Sequence, residues 1–95
     1  MDLQAIRVQI DEVDKDLVKL LEKRMKLVSQ VVAYKQEKGV PVLDRSREEV
    51  ILDRVAGRVD DDQYRYTIRK TFESILAHSR DFQAQVLSQE SVNCE

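Results

Sequence analysis

Breakers and aromatic residues are scarce in this chain. Two glycines and one proline in 95 residues leave few places for turns. No β-branched run is bounded by turn residues, so a sheet of hairpins is excluded and nearly all of the chain is expected to be helical. Without tryptophan and with only two phenylalanines, one chain by itself would have a thin core. The single histidine, His78, has no second ligand in sight, so no metal site is expected. The single cysteine, Cys94, lies in the polar end SQESVNCE, where an exposed thiol is the plain reading.

Charge of one sign is missing as well. Sixteen lysines and arginines face eighteen acids, a net charge of −2, which is not the basic balance of a nucleic-acid binder. No apolar run approaches the ~18 residues that a membrane span needs. The opening MDLQAIRVQ has no basic-then-apolar signal pattern, which points to the cytoplasm.

What the chain does have is helical periodicity. Alternating steps of three and four land on Leu3, Ile6, Ile10, Val13, Leu17, Leu20, Arg24, Leu27, Val31 and Tyr34. All but Arg24 are apolar or aromatic, the 3.5-residue period of a helix buried along one stripe. A second stripe, Ile68, Phe72, Ile75, Ser79, Phe82 and Val86, is interrupted by Ser79. Three helices follow from the breakers. The first runs from about Asp2 to Lys38, stopped by Gly39 and Pro41. The second is capped by Asp44 or Ser46, with Ser46 and Glu49 fitting a capping box, and runs to about Ala56 before Gly57. The third covers about Asp61 to Leu87, its start marked by the acids of RVDDD. The chain is one small domain, residues 1–88, followed by a polar tail, residues 89–95.

At 1.5 Å per residue the first helix would be ~55 Å long, against ~20 Å and ~40 Å for the others. Two shorter helices cannot cover so long a stripe, so it is expected to meet a second copy of itself across a two-fold axis. The expected fold class is all-α: three helices, one very long, in an intertwined homodimeric bundle.

The polar residues near the stripes suggest an anion pocket. Arg24 and Lys35 are three turns apart and only ~20° apart around the axis, so both can reach one small ligand. Arg7 lies ~25 Å from Arg24 along the helix and could serve the same ligand only across a two-fold axis. DRSREE places Asp44, Arg47 and Glu48 on neighbouring faces of the second helix's first turn, and Ser79 and Gln83 share a face with Phe72 and Leu76. Cations and neutral donors of this kind, with no Cys/His cluster and no Ser/His/Asp arrangement, suit a small dianion held by fixed electrostatics. Taken singly, each has a plainer reading. Charged residues on amphipathic helices are usually solvated. Arg24 could fix register in a helical seam, and Ser79 could bond back to the carbonyl four residues earlier.

The first helix, IRVQIDEVDKDLVKLLEKR, and the following VVAYKQEKGVPVLDRSREEVIL resemble the all-helical class of chorismate mutases in register. SILAHSRDFQ matches more weakly, through Ser79 and Gln83. The likeness covers about Leu3 to Val86. It implies an intertwined dimer with two equivalent sites and the rearrangement of chorismate to prephenate on the route to phenylalanine and tyrosine. That reaction is an intramolecular pericyclic step needing no nucleophile, base, metal or cofactor. Carried over, Arg24 and the partner subunit's Arg7 would bind the two carboxylates, assisted by Ser79. Lys35 and Gln83 would address the ether oxygen. Glu48 and the backbone of Asp44 would take the ring hydroxyl, and Arg47 would add positive potential.

Two alternatives stand beside this: a lyase on the same fold that splits isochorismate into salicylate and pyruvate, and a helical dimerisation module without chemistry. Docking on another shikimate-pathway enzyme is a further partnership compatible with the resemblance.

Overall fold

Three helices account for most of the chain: α1 (Leu3–Lys38), α2 (Arg45–Arg58) and α3 (Asp62–Asn93). They are seen in a computed structural model that describes residues 1–93, so Cys94 lies outside the described residues. Each helix start is set by an aspartate. Asp2 accepts from the Gln4 amide, Asp44 from the Arg47 amide and Asp61 from the Gln63 amide, each at 3.0 Å. α1 ends where Gly39 takes the left-handed conformation (φ 68°, ψ 27°) and its N–H reaches the Lys35 carbonyl.

Three local expectations are corrected. The Ser46–Glu49 capping box does not form. Ser46 donates to the Asp44 carboxylate at 3.0 Å, while Glu49 turns to Arg69 at 3.5 Å. Gly57 does not end α2, which continues through Arg58 with Val59 as its cap. A side chain from α3 explains why no left-handed glycine is needed there. Arg65 donates through Nε to the Ala56 carbonyl at 2.8 Å and through Nη2 to the Val59 carbonyl at 2.5 Å, satisfying acceptors that a helix end leaves open. α3 also runs past Leu87 to Asn93.

α3 is the central element, packed on α1 and on α2. Its inward face is Leu76, Ser79 and Gln83. α2 contributes Leu52 and Val55 to the core, and α1 contributes Val32, at 2% exposure the most buried apolar residue. On α1 the face toward the rest of the chain therefore runs through Leu21, Arg24, Met25, Val28, Val32 and Lys35, all buried or half-buried. The stripe counted from the sequence lies beside it. Leu17, Leu20, Leu27, Val31 and Tyr34 remain exposed, and every residue from 1 to 20 is exposed. Arg24 is the stripe position that also belongs to the inward face.

The result is elongated. The Cα radius of gyration is 17.0 Å, against about 12 Å for a compact chain of this length. Half of α1 thus projects with its apolar residues uncovered by its own chain. No described helix is long and apolar enough to cross a membrane.

Candidate active site

A cavity of about 170 Å³ opens where the three helices meet. Arg24, Val28 and Val31 of α1 line one side, and Val42 and Asp44 close the loop side. Arg47, Glu48 and Ile51 of α2 and Leu76, Ser79, Arg80 and Gln83 of α3 complete it. Aliphatic walls with a few convergent polar groups are what a small-molecule site needs.

The polar groups are ordered by their mutual contacts. Arg24 Nη1 donates to Ser79 Oγ at 2.9 Å, and the Ser79 hydroxyl points to Met25 Sδ at 3.9 Å. Ser79 therefore does not bond back along α3; it is an acceptor for the arginine. Among the described residues no carboxylate pairs with Arg24. Its positive charge is therefore not neutralised by an ion pair among the described residues. Lys35 Nζ donates to the Val42 carbonyl at 2.8 Å and to Gln83 Oε1 at 3.3 Å. These bonds pin the loop over the site and orient Gln83. With Oε1 used by Lys35, the Gln83 NH₂ is the end left to donate elsewhere. Ser79 and Gln83 are 5% and 7% exposed, so each polar end needs the partner it has.

The α2 N-terminus points its first turn into the same space. Asp44 caps it, and the Arg47 amide and Ser46 hydroxyl hold the Asp44 carboxyl below its ordinary value of 3.8. Glu48, also in that turn, is paired with Arg80 of α3. With that pair mutually neutralised, Arg24, Arg47 and Lys35 outnumber Asp44, and the helix N-terminus adds further positive potential. The arrangement favours an anion carrying more than one negative charge.

Of the eight residues singled out from the sequence, Arg24, Asp44, Arg47, Glu48, Ser79 and Gln83 line this cavity, and Lys35 joins it through Gln83. Arg7 is not brought to it. It lies in the exposed N-terminal half of α1, seventeen residues before Arg24 on the same continuous helix. Sequence reasoning missed Arg80, although the residue directly follows Ser79 and carries a charge on the inward side of α3. It also missed a row of arginines. Arg54 and Arg58 follow Arg47 by seven and eleven residues, each within ~20° of Arg47 around α2. With Arg24 they border a neighbouring cavity of about 220 Å³.

Comparison with known proteins adds a family. The model of the family described as chorismate mutase type II matches residues 6–84. The chain is 32% identical over 88 residues to a chorismate mutase of Methanocaldococcus jannaschii, covering 92% of this chain and 89% of that protein. It is 32% identical over 89 residues to the bifunctional chorismate mutase/prephenate dehydratase of Buchnera aphidicola, covering 92% of this chain and 23% of that protein. To the T-protein of Enterobacter agglomerans it is 45% identical over 51 residues, 54% of this chain and 14% of that protein. The chain thus spans most of the first relative and less than a quarter of the other two.

Proposed function

The chain belongs to the type II chorismate mutase family, and from that premise we propose that it is an isomerase converting chorismate to prephenate at the three-helix cavity. One observation carries the assignment to this cavity. A half-buried arginine, Arg24, which has no carboxylate partner among the described residues, is held by a buried serine, Ser79, at the wall of a pocket that Arg47 also lines and that Lys35 joins through Gln83.

The rearrangement breaks an ether C–O bond and makes a C–C bond within one molecule, so the protein's task is to hold and to polarise. Arg24, assisted by Ser79, takes one carboxylate through a charge-assisted contact. The second carboxylate goes to the partner subunit's Arg7. Clamped at both ends, the flexible dianion is kept in the diaxial form in which the reacting carbons meet. Negative charge grows on the ether oxygen as its bond lengthens. Lys35 and the NH₂ of Gln83, already joined by a hydrogen bond, supply donors to that oxygen without reorganisation. Glu48 and the backbone of Asp44 receive the ring hydroxyl, and Arg47 supplies positive potential.

The same reading requires a homodimer in which two chains intertwine through their α1 helices. The uncovered apolar row of Leu3, Ile6, Ile10, Val13, Leu17 and Leu20 supports it, each being 38–64% exposed in the single chain. So does Arg7, whose position on α1 leaves it unable to reach its own chain's cavity. The cytoplasmic setting expected from the sequence belongs to this proposal as well.

The direct test is to incubate the protein with chorismate and identify the product by NMR. Prephenate is the expected outcome. Salicylate and pyruvate formed from isochorismate, with chorismate left intact, would assign the lyase instead. No turnover of either would refute catalysis at this cavity.

A further inference from the structure

Arg80 of α3 and Glu48 of α2 form an ion pair, Arg80 Nη1 donating to Glu48 Oε1. Among the described ion pairs Glu48 is the least exposed carboxylate, at 22%, with Arg80 at 33%. The acids that pair with Arg69 between the same two helices, Asp53 and Glu49, are 72% and 68% exposed. Both members of the Glu48–Arg80 pair line the proposed active-site cavity. Both also line a second cavity of about 390 Å³ with Leu43, Arg45, Glu49 and Leu52. The pair is therefore a shared wall of the site and not a surface decoration.

A glutamate in that wall raises three physical problems. Its side chain has three rotatable bonds, and ordering it costs conformational entropy each time a ligand arrives. Arg45 and Arg47, its neighbours in the same turn, are alternative cations to which it could swing. If it did, the substrate would lose an acceptor and the cavity would lose part of Arg47's charge. An unpaired carboxylate would also repel a dianionic substrate. Arg80 resolves all three, because it comes from another helix, holds Oε1 from outside the turn and cancels the charge locally. Glu48 Oε2 is then the oxygen left to accept from a ligand.

We propose that Arg80 is a positioning residue that holds Glu48 so that its second oxygen accepts the substrate's ring hydroxyl. The inference rests on the reading of Glu48 given under Proposed function. Arg80 acts on the substrate through Glu48, and its effect at the hydroxyl comes in addition to the charge cancellation that any dianion in the site would feel.

The test compares chorismate with an analogue lacking the ring hydroxyl, using the full-length parent, Arg80→Met, Arg80→Lys, Glu48→Gln, Glu48→Leu and the double variant Arg80→Met/Glu48→Gln. Loss of one well-placed hydrogen bond corresponds to roughly tenfold in kcat/KM. Arg80→Met should lose that factor on chorismate over and above its loss on the analogue, since unpairing the Glu48 charge weakens both dianions alike. Arg80→Lys should recover part of it. In the Glu48→Gln background, Arg80→Met should cost nothing further. Thermal melts on each variant establish that it is folded.

Equal losses on the two substrates, or losses that simply add in the double variant, would overturn the proposal and leave a packing role. A preference for the hydroxyl that vanishes in Glu48→Gln but survives in Arg80→Met would overturn it while leaving Glu48's role standing. A preference that survives even Glu48→Leu, which has no acceptor, would remove both roles together.

Discussion

Arg24 on α1 and Ser79 on α3, fifty-five residues apart in the chain, meet through a 2.9 Å hydrogen bond from Nη1 to Oγ. Each is the odd member of its helix's apolar stripe, and each supplies what the other lacks. Among the described residues the arginine has no ion pair, and the buried hydroxyl needs a strong donor. A charge kept half-buried with only a neutral partner favours ligand binding over stability, and that conflict can be measured.

Leucine at position 24 would continue the apolar stripe and remove a partly desolvated charge. Arg24→Leu should leave the folded protein as stable as the parent or more so, by up to about 1–3 kcal/mol. Turnover of chorismate should fall by orders of magnitude, with Arg24→Lys between the two because lysine lacks the planar fork. Melting temperature, mass in solution and turnover measured on the three proteins decide the matter. Near-normal turnover in the leucine variant would remove Arg24 from the site. A changed oligomeric state with ligand affinity intact would mark it as a register residue.

The neutral amide of Gln83 donates at any ordinary pH. Glutamate there could donate only when protonated, and Lys35, now 3.3 Å from the amide oxygen, would favour the charged form. Gln83→Glu is therefore expected to be slow at pH 8 and to recover toward pH 5, while the parent changes little over that range. A flat profile for the variant, at parental rates, would contradict a role for Gln83 at the ether oxygen.

If Arg7 serves the opposite subunit, Arg7→Ala and Arg24→Ala are each inactive as homodimers. Mixing them under conditions that exchange subunits should restore part of the activity, since a hybrid dimer carries one intact site. Exchange demonstrated by mass spectrometry without any recovery would count against a shared site.

Asp44 links stability to pH. Its carboxyl is held below its ordinary value of 3.8 chiefly by the Arg47 amide, then by the Ser46 hydroxyl. A depressed folded-state value means the stabilisation is present above the unfolded value and is lost as the pH falls through the folded one. Asp44→Ala should melt below the parent at pH 7, and the gap should close as the pH drops below about 3.8. A gap independent of pH would show that the ionised cap is not its source.

The two glycines should respond oppositely to alanine, although a Cβ would meet nothing within 4 Å at either. Gly39 has φ 68°, so Gly39→Ala should destabilise by about 1–2 kcal/mol from backbone strain alone. Gly57 lies within α2 with no positive φ, so Gly57→Ala should stabilise by about 0.4–1 kcal/mol. Denaturant titrations on the two variants check the signs.

The three helices are legible in one dimension, because the signals that set them are local. Asp2, Asp44 and Gly39 act within one turn, and the apolar period needs no knowledge of the partner helix. Most of the candidate site is legible in the same way. Arg24 and Ser79 break periodic patterns, and a break in a pattern is visible in one dimension. Which face of α1 turns inward depends on packing between helices. Val32 and not the counted stripe is the buried residue, because α3 crosses beside the stripe and leaves it uncovered. Where α2 ends depends on packing between helices as well, since Arg65 of α3 satisfies the carbonyls that a glycine would otherwise have to relieve. The Arg80–Glu48 pair belongs to the same class. Thirty-two residues separate the two, and nothing local to either could indicate which opposite charge it would meet.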